Sequence, residues 1–366
     1  MSGTIKLEEV KSHDEMLCTL GPFSSMFRNI LVKAKESNAS DIHLEPKKDN
    51  LIIRFRVNGD LSEFMKLKGA YSRPFLFEVK KLTGMSIAKK GKPQDSRVSY
   101  PSIGIDLRGS AIPSIYDDKL VFRIIDNNIA ASLEALGHDE TVSTILLESI
   151  GHKSGLVLLS GPTGSGKSST LYSILYLIDR KKLNVLTIED PVERLIPDTT
   201  PVHVKKGFRF ADALKSAMRQ DPDVIFIGEI RDEESAKIAM DASNTGHLVI
   251  STIHANDCNS VVERLEGLGV DRTLIQKNLK FVGAQRLIKI LCSSCKFQND
   301  DGYFLKSTSG CKECFFTGIA TRRPILDYLN SSMLIRGEEK KNNLKEIARK
   351  YLDSGEICFD EWEGIE

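Results

Sequence analysis

The sequence of 366 residues lacks long hydrophobic runs and any excess of charge of one sign. No apolar stretch reaches the length of about 18 residues that a membrane-spanning helix requires. Lysine and arginine number 51 against 50 aspartates and glutamates, a balance that does not favour a nucleic-acid-binding or anionic-membrane-binding surface. Charges interrupt the first twenty residues, which argues against a signal peptide. We therefore expect a cytoplasmic protein whose cysteines are reduced unless a metal binds them.

The pattern of apolar residues changes once along the chain, and the change predicts two domains. Residues 1–128 are predicted to form short strands, turns and two helices, which is typical of an α+β domain. Within them, Asn58-Gly59 predicts a tight hairpin. Residues 129–140 are predicted to be a linker with a short helix ending at Gly137. Residues 141–366 alternate strands with helices, which predicts an α/β domain with a parallel-rich sheet.

A complete phosphate-loop pattern, G-x-x-x-x-G-K-[ST], lies between an apolar run and a predicted helix. Its residues, with the next one, are Gly161, Pro162, Thr163, Gly164, Ser165, Gly166, Lys167, Ser168 and Ser169. In such loops backbone N–H groups surround a phosphate chain, the lysine contacts the β- and γ-phosphates, and the serine hydroxyl ligates Mg²⁺. A chance glycine-rich turn is the alternative, and the flanking strand and helix argue against it. The pattern predicts binding of a nucleoside triphosphate with Mg²⁺.

Acidic residues and histidines follow or flank three further predicted strands. Glu189 and Glu193 follow the strand at 184–188, Glu229 follows 224–227, and His247 and His254 flank 248–253. Ligands of open α/β sheets bind at the carboxyl ends of the strands, so we expect these residues to converge on the phosphate loop. A carboxylate there can hold Mg²⁺ through water or orient an attacking water. Any one of these residues alone is explained as a solvated loop residue or a helix cap. Three such strand ends after one phosphate loop together favour a hydrolytic site.

Four of the seven cysteines are spaced as two C-x-x-C pairs, at Cys292, Cys295, Cys311 and Cys314. This spacing predicts a zinc site in the loop 292–314, with two disulfides or four unrelated thiols as the alternatives. Four thiolates leave no open coordination position, so the predicted site is structural. The remaining cysteines, Cys18, Cys258 and Cys358, are predicted to be bystanders.

Several longer motifs occur in a fixed order along the chain. They are GPTGSGKSST at 161–170, TIEDPVE at 187–193, IGEIRD at 227–232, TGHLVISTIHAND at 245–257 and AQRL at 284–287. Together they resemble the Walker A, Asp box, Walker B and His box regions of the secretion ATPases of type II secretion and type IV pilus assembly. The segments SDIHLEP at 40–46 and PQDSRV at 93–98 resemble the N-terminal, nucleotide-facing domain of that family.

The resemblance implies a RecA-like P-loop ATPase domain preceded by a small PAS-like domain. It further implies a homo-oligomer, a hexameric ring, in the cytoplasm and peripheral to the inner membrane. The expected partner is an inner-membrane platform protein, through which ATP turnover drives pilin or pseudopilin polymerisation. We expect membrane contact only through that partner and no direct contact with nucleic acid. The tetracysteine loop is typical of extension-type members, and the chain resembles a short form without the extra N-terminal domain of many secretion members.

The resemblance also assigns roles to individual residues. Lys167 and Ser168 would contact phosphate and Mg²⁺, Glu229 would be the Walker B glutamate, and either Glu189 or Glu193 would act on water. His247 and His254 would couple the γ-phosphate state to the arrangement of subunits. The arginines expected to face the nucleotide are Arg97, Arg108 and Arg123 of the first domain and Arg286 of the second.

The chain departs from the family pattern at two positions after the strand–helix junction near 207–211. Asp212 and Lys215 stand where the family usually has arginines that contact phosphate. Neither side chain offers the guanidinium fork that stabilises developing phosphate charge. Arg209 is a hypothetical substitute. The departure leaves an alternative function open, a nucleotide-binding assembly scaffold with weak or no hydrolysis. A DNA-translocating ring motor is a weaker alternative, since the sequence has no basic-aromatic stripe.

Overall fold

The computed structural model describes residues 21–89, 91–126, 132–336 and 343–365. The predicted bystander Cys18 and the first residues of the predicted linker, 129–131, lie outside this part. The chain divides into two compact units, Met1–Asn128 with Ser307–Ile319, and Ile129–Lys306 with Ala320–Glu366. The sequence does not predict that Ser307–Ile319 belongs with the first unit. Among the described helices, none combines the length and apolarity needed to cross a membrane.

The first unit is a six-stranded antiparallel sheet covered by two helices on one face. The strands lie in the order β3-β2-β1-β6-β5-β4. The elements are α1 (Pro22–Glu36), β1 (Ala39–Pro46), β2 (Asn50–Val57), β3 (Asp60–Lys68), α2 (Gly69–Leu82), β4 (Gln94–Tyr100), β5 (Ile105–Pro113) and β6 (Asp118–Asp126).

One side of β2 lies in the core, and its buried positions are all apolar: Leu51, Ile53, Phe55 and Val57. Its eight residues alternate between half-buried and buried, which is the pattern of a sheet with one covered face. The predicted hairpin between β2 and β3 is confirmed. Asn58 and Gly59 adopt φ values of 52° and 92°, and tight two-residue turns of the primed type require positive φ at both central positions.

A buried ion pair joins α2 to β6 inside the first unit. The ammonium of Lys80 donates a hydrogen bond to the Asp118 carboxylate, and both side chains are at most 10% exposed. Asp117, the residue before β6, pairs with Arg73 of α2 at 3.2 Å, but the Arg73 side chain is 71% exposed. The two neighbouring pairs therefore differ mainly in burial.

The second unit is built on a seven-stranded sheet in the order β15-β12-β7-β11-β10-β8-β9. The strands from β12 to β9 pair in parallel, so the predicted parallel-rich α/β fold is confirmed. The strands are β7 (Gly155–Ser160), β8 (Val185–Glu189), β9 (Thr200–His203), β10 (Val224–Ile227), β11 (Leu248–Ile253), β12 (Leu279–Leu291) and β15 (Ile319–Asn330), with a separate hairpin of β13 (Phe297–Gln298) and β14 (Phe304–Leu305).

Helices cover both faces of this sheet, and the central strands are buried throughout. Within β7, Leu156 and Leu158 join one apolar core while Val157 and Leu159 join the other, as expected of a parallel strand between two helical layers. The helices are α3 (Glu140–Ile150), α4 (Lys167–Leu177), α5 (Phe210–Ala217), α6 (Glu233–Asn244), α7 (Cys258–Gly267), α8 (Arg272–Asn278), α9 (Ser331–Ile335), α10 (Leu344–Asp353) and α11 (Phe359–Glu363).

The prediction of a short helix ending at Gly137 is wrong in the described part, since residues 133–137 form consecutive turns. The amides of Leu136 and Gly137 bond to carbonyls three residues earlier, and Gly137 then adopts a left-handed φ of 93°. A glycine in that conformation ends a run of turns before a helical ladder can extend.

We predict that Lys80→Met lowers the free energy of unfolding of the first unit by about 3 kcal/mol, because Asp118 would remain buried and unpaired. Arg73→Met is the matched control and is expected to cost at most about 1 kcal/mol, since exposed pairs contribute little. Hydrogen exchange of the β5 and β6 amides in the full chain measures both. Equal losses in the two variants would contradict the assignment.

Candidate functional site

The phosphate-loop pattern occupies the turn between the end of β7 and the start of α4. Gly161, Gly164 and Gly166 adopt φ values of 139°, 82° and 88°, a region that favours glycine. A Cβ at Gly161 would lie 2.4 Å from the carbonyl oxygen of Gln285, so a side chain cannot be accommodated there. Helix α4 begins at Lys167, which directs the amides of its first turn toward the loop.

Two cationic side chains from different elements lie at this loop. The ammonium of Lys167 donates to the carbonyl oxygens of Gly161 and Pro162 at 2.7 and 2.9 Å. Burial lowers the pKa of Lys167. Arg286 of β12 donates to the carbonyl of Asn256 at 3.1 Å, and its guanidinium would be 3.4 Å from a Cβ at Gly161. Arg286 is therefore placed over the beginning of the loop.

The Walker B glutamate predicted from sequence lies two strands away, just beyond β10. Glu229 accepts from Arg231 at 2.7 Å, and its other oxygen is 3.0 Å from Nε2 of His254, the residue that follows β11. The negative charge of Glu229 also acts on Lys167, opposing the effect of burial on the pKa of that lysine. The structure thus brings Lys167, Glu229 and His254 to one edge of the sheet.

The two glutamates of the 187–193 motif have different environments. Glu189, the last residue of β8, is 4% exposed, and its carboxylate accepts hydrogen bonds from the Tyr172 hydroxyl and, at 3.3 Å, from the amide of Glu193. Burial raises the pKa of Glu189, although both hydrogen bonds act in the opposite direction. Glu193 itself is half-buried in the loop after the strand. The motif therefore supplies one enclosed carboxyl group and one that is accessible to solvent.

His247 is not brought to this edge. It precedes β11, and its carbonyl accepts from the amide of Gly155 at the start of β7. Its Nδ1 lies 3.0 Å from the carbonyl of Ala242. The full length of β11, at about 3.3 Å per residue, separates it from His254. The expectation that both histidines flanking this strand converge on the phosphate loop is thus wrong for His247 within a single chain.

In the first unit, the predicted arginines form a row across neighbouring strands. Arg97 of β4 is the register partner of Arg108 of β5, which is the partner of Arg123 of β6. Directly opposed residues of an antiparallel pair point to the same face, so all three share the face away from the helices. Arg123 continues the row through an ion pair with Asp41 of β1 at 3.2 Å.

Arg209, the hypothetical substitute for a missing arginine, is engaged in a surface ion network. It pairs with Asp212 at 3.3 Å and with Glu234 at 3.3 Å, while Lys215 pairs with Glu234 at 2.6 Å. The Arg209 backbone amide also donates a hydrogen bond to the Asp212 carboxylate at 3.1 Å, which caps the start of α5. The two departures from the family pattern are thus parts of one charge-compensated cluster on α5 and α6.

Sequence reasoning missed four residues that contact the site from behind. Besides Tyr172 they are His138, Thr170 and Gln285, which form a buried hydrogen-bonded series ending at the loop carbonyl of Ser165. Thr170 and Gln285 lie inside motifs that the sequence analysis singled out, which was the available signal for them. Nothing in the local sequence distinguishes His138.

The four predicted metal ligands come together in one cluster. The Sγ atoms of Cys292, Cys295, Cys311 and Cys314 all lie within 4.8 Å of one another. None of the six described cysteines forms a disulfide bond, which removes the two-disulfide alternative for this structure. Cys258 and Cys358 are not part of the cluster.

The cluster has dimensions that suit a zinc ion. The sulfurs of Cys311 and Cys314 are 3.7 Å apart, close to the separation of about 3.8 Å expected for two ligands at tetrahedral Zn–S distances. The amides of Cys311 and Gly318 donate to the Cys314 sulfur at 3.1 and 3.2 Å, contacts that favour a thiolate. Four cysteines would hold the ion in a closed, structural site.

A family model described as "Type II/IV secretion system protein" matches residues 18–360, which is most of the chain. The chain belongs to this family. The sequence-based assignment to the secretion ATPases is therefore confirmed.

Curated members of the family include proteins of both secretion and pilus systems. The type II secretion system protein HxcR of Pseudomonas aeruginosa is 37% identical over 337 residues, covering 90% of this chain and 71% of that protein. The type IV pilus assembly ATPase TfpB of Acinetobacter baylyi is 38% identical over 347 residues, covering 88% of this chain and 59% of that protein.

Solved structures with the same fold include two related ATPases. The Legionella pneumophila ATPase DotB superposes with a TM-score of 0.67 at 20% identity, covering 93% of this chain and 94% of that chain. The pilus retraction motor PilT with bound ADP gives a TM-score of 0.63 at 24% identity, covering 95% and 97%. At these identities the likeness establishes the fold.

We predict that this member of the type II/IV secretion family binds one Zn²⁺ per chain. Cys295→Ser and Cys314→Ser should each lose the ion, because the three remaining thiolates hold it more weakly. Cys358→Ser is the matched control and is expected to retain the metal. Zinc released by a thiol-modifying reagent, measured with a metal-sensitive dye, gives the stoichiometry. Equal zinc content in all four proteins would contradict the assignment.

The raised pKa of Glu189 gives a second prediction for this family member. The folded unit retains a proton that the unfolded chain releases near pH 4.5, so the stabilising contribution of Glu189 decreases as pH rises from there through the folded pKa. The stability difference between wild type and Glu189→Gln should therefore decrease with rising pH and then become constant. Urea unfolding followed by fluorescence of Trp362, the single tryptophan, measures it.

Glu148→Gln, an exposed substitution on α3, is the matched control for removing a carboxylate. The same slope in both variants would show that Glu189 ionises as it does in the unfolded chain.

Proposed function

We propose that this chain is an ATP hydrolase that couples turnover to polymerisation of a type IV pilin or pseudopilin, or to type II-like secretion. The observation that carries the proposal is the meeting of Lys167, Glu229, His254 and Arg286 at the glycine-rich loop that follows β7. A carboxyl-edge site with cations for phosphate and a carboxylate is what phosphoryl transfer to water requires. The names of the curated relatives support the same activity class.

In this proposal the loop 161–166 and the first turn of α4 surround the phosphates of ATP. Lys167 would exchange its two loop carbonyls for β- and γ-phosphate oxygens, a favourable exchange because burial keeps competing water away. The exposed Ser168 hydroxyl would contribute to binding of Mg²⁺, which supplies positive charge to the phosphate oxygens when bound. Arg286 would stabilise charge on the same oxygens.

Between the two glutamates of the motif, we assign the water-activating role to Glu193. Glu189 is enclosed, and Oε2 of its carboxylate accepts from the Tyr172 hydroxyl and the Glu193 amide, contacts that fix the turn. A general base needs to reach a water from a hydrogen-bonding position, and Glu193 is the accessible carboxylate of the pair. Glu229 with His254 would respond to the γ-phosphate.

The remaining parts of the proposal rest on the family. We propose a homo-oligomer, a hexameric ring in the cytoplasm, that is held at the inner membrane by a platform protein and has no direct nucleic-acid contact. Arg97 and Arg108 of the first unit are proposed to contribute cationic charge to the bound nucleotide. Their row on one sheet face is consistent with a surface for an anionic ligand.

One observation favours a second candidate, a nucleotide-binding scaffold that hydrolyses ATP weakly. Asp212 and Lys215 occupy positions expected to be arginine, and Arg209 is held by Asp212 and Glu234. A site that lacks transition-state arginines binds nucleotide but turns over slowly.

Phosphate release by the full-length, zinc-loaded protein tests the proposal. We expect measurable turnover in wild type, and a decrease of about 100-fold or more in Lys167→Ala, Glu229→Gln and Glu193→Gln. Glu189→Gln should stay within about threefold of wild type, since a positioning contact costs less than a general base. Glu148→Gln on α3 is the control for an exposed carboxylate.

Wild-type release no faster than Lys167→Ala, with no ATP binding by calorimetry, would refute the proposal. Binding without release would instead support the scaffold. A larger loss in Glu189→Gln than in Glu193→Gln would reverse the assignment of the two glutamates.

A further inference from the structure

A buried series of three side chains reaches the phosphate loop from the interior of the second unit. Nε2 of His138 is 2.9 Å from the Thr170 hydroxyl, which donates to Oε1 of Gln285 at 3.0 Å. Nε2 of Gln285 donates to the carbonyl oxygen of Ser165 at 2.8 Å. His138 is 6% exposed, and Thr170 and Gln285 are each 1% exposed, so water does not replace these bonds.

The chemistry of the three groups fixes the direction of the series. The Gln285 amide gives its N–H to Ser165, so the oxygen is the end that faces Thr170. The single hydroxyl proton of Thr170 must then go to that oxygen, and Thr170 can only accept from His138. Burial lowers the pKa of His138 to about 4, so the ring is neutral at physiological pH and carries its proton on Nε2.

The end of the series controls the orientation of one peptide group in the loop. In a planar trans peptide the carbonyl of Ser165 and the N–H of Gly166 point in opposite directions. Because the Ser165 carbonyl points toward Gln285, the Gly166 N–H points away from Gln285. This orientation leaves the N–H available to a phosphate, as is typical of phosphate loops. A Cβ at Gly166 would lie 2.8 Å from Nε2 of Gln285, so only glycine permits this close approach.

We propose that His138, Thr170 and Gln285 act as positioning residues that preorganise the phosphate loop for nucleotide binding. The inference rests on the proposed function but concerns residues that do not touch the nucleotide. Without the N–H of His138, Thr170 loses its donor, the Gln285 amide can rotate, and the Ser165–Gly166 peptide is no longer fixed. Binding would then include the cost of ordering that peptide.

The outer end of the series is anchored by the residue next to His138. Asp139, which precedes α3, accepts from Lys350 at 2.5 Å and lies 3.4 Å from the Tyr351 hydroxyl, both on α10. The two adjacent residues therefore point their side chains to different partners, one toward the loop and one toward the C-terminal helix. Helix α10 thus holds the backbone from which His138 reaches Thr170.

Calorimetric titration of Mg-ADP into the full-length protein tests the proposal. His138→Phe removes the donor but keeps a planar ring, and we expect about threefold to tenfold weaker binding, the effect of one buried hydrogen bond. His138→Gln places an amide N–H near the position of Nε2 and is expected to bind within about twofold of wild type. His152→Phe, an exposed histidine outside the series, is the matched control.

Thr170→Val breaks the same series without changing volume, and it carries the test if His138→Phe does not fold. In the double variant the two losses should not add, because each substitution already releases the Ser165 peptide. Unchanged binding in both single variants would overturn the proposal, as would additive losses or a failure of His138→Gln to restore affinity. Absence of Mg-ADP binding by wild type would refute nucleotide binding itself, a result distinguishable from these.

Discussion

The parallel register of β7 with its two neighbours is the constraint on which the site depends. Ser160, at the end of β7, is the register partner of Ile253 in β11 and of Ala284 in β12. The next residue on each strand therefore lies at the same level, which places Gly161, His254 and Gln285 side by side. A slip of one residue in the pairing with β11 or β12 would turn the side chain of His254 or Gln285, respectively, to the opposite face of the sheet. Hydrogen bonds between strand ends, such as that from Thr252 to the Gly228 carbonyl at 2.7 Å, extend the same alignment to β10.

Much of this arrangement was predictable because it is local in sequence. The strand at 224–227, the Asn58-Gly59 hairpin and the phosphate-loop turn each depend on residues that are adjacent along the chain. His247 shows the limit, because the pattern of a strand flanked by histidines does not say that its first residue and its last lie at opposite edges of the sheet. The His138–Thr170–Gln285 series was beyond prediction for a different reason. Its members are 32 and 115 residues apart, and only the tertiary fold brings the segment before α3, helix α4 and strand β12 together.

The two glutamates of the 187–193 motif illustrate how burial separates residues of one chemical type. Glu189 ends a strand whose residues are all buried, so its carboxylate is enclosed and its pKa is raised. Glu193, four residues later, has left the sheet and faces solvent in part. Pairs of carboxyl groups whose environments push their pKa values apart are a common basis for different roles within one site. The sequence motif contains both acids but does not indicate which one is enclosed and which one is accessible to solvent.

The charge cluster on α5 and α6 has a consequence for how this chain can diverge. Arg209 and Lys215 each contact Glu234, and Arg209 also contacts Asp212, so two cations and two anions balance within one patch. An arginine introduced at position 212 alone would place like charges together and leave Glu234 shared among three cations. Substitutions at these positions are therefore coupled. In related chains we expect the charges at positions 209, 212, 215 and 234 to vary together, with only a small effect on stability because all four side chains are exposed.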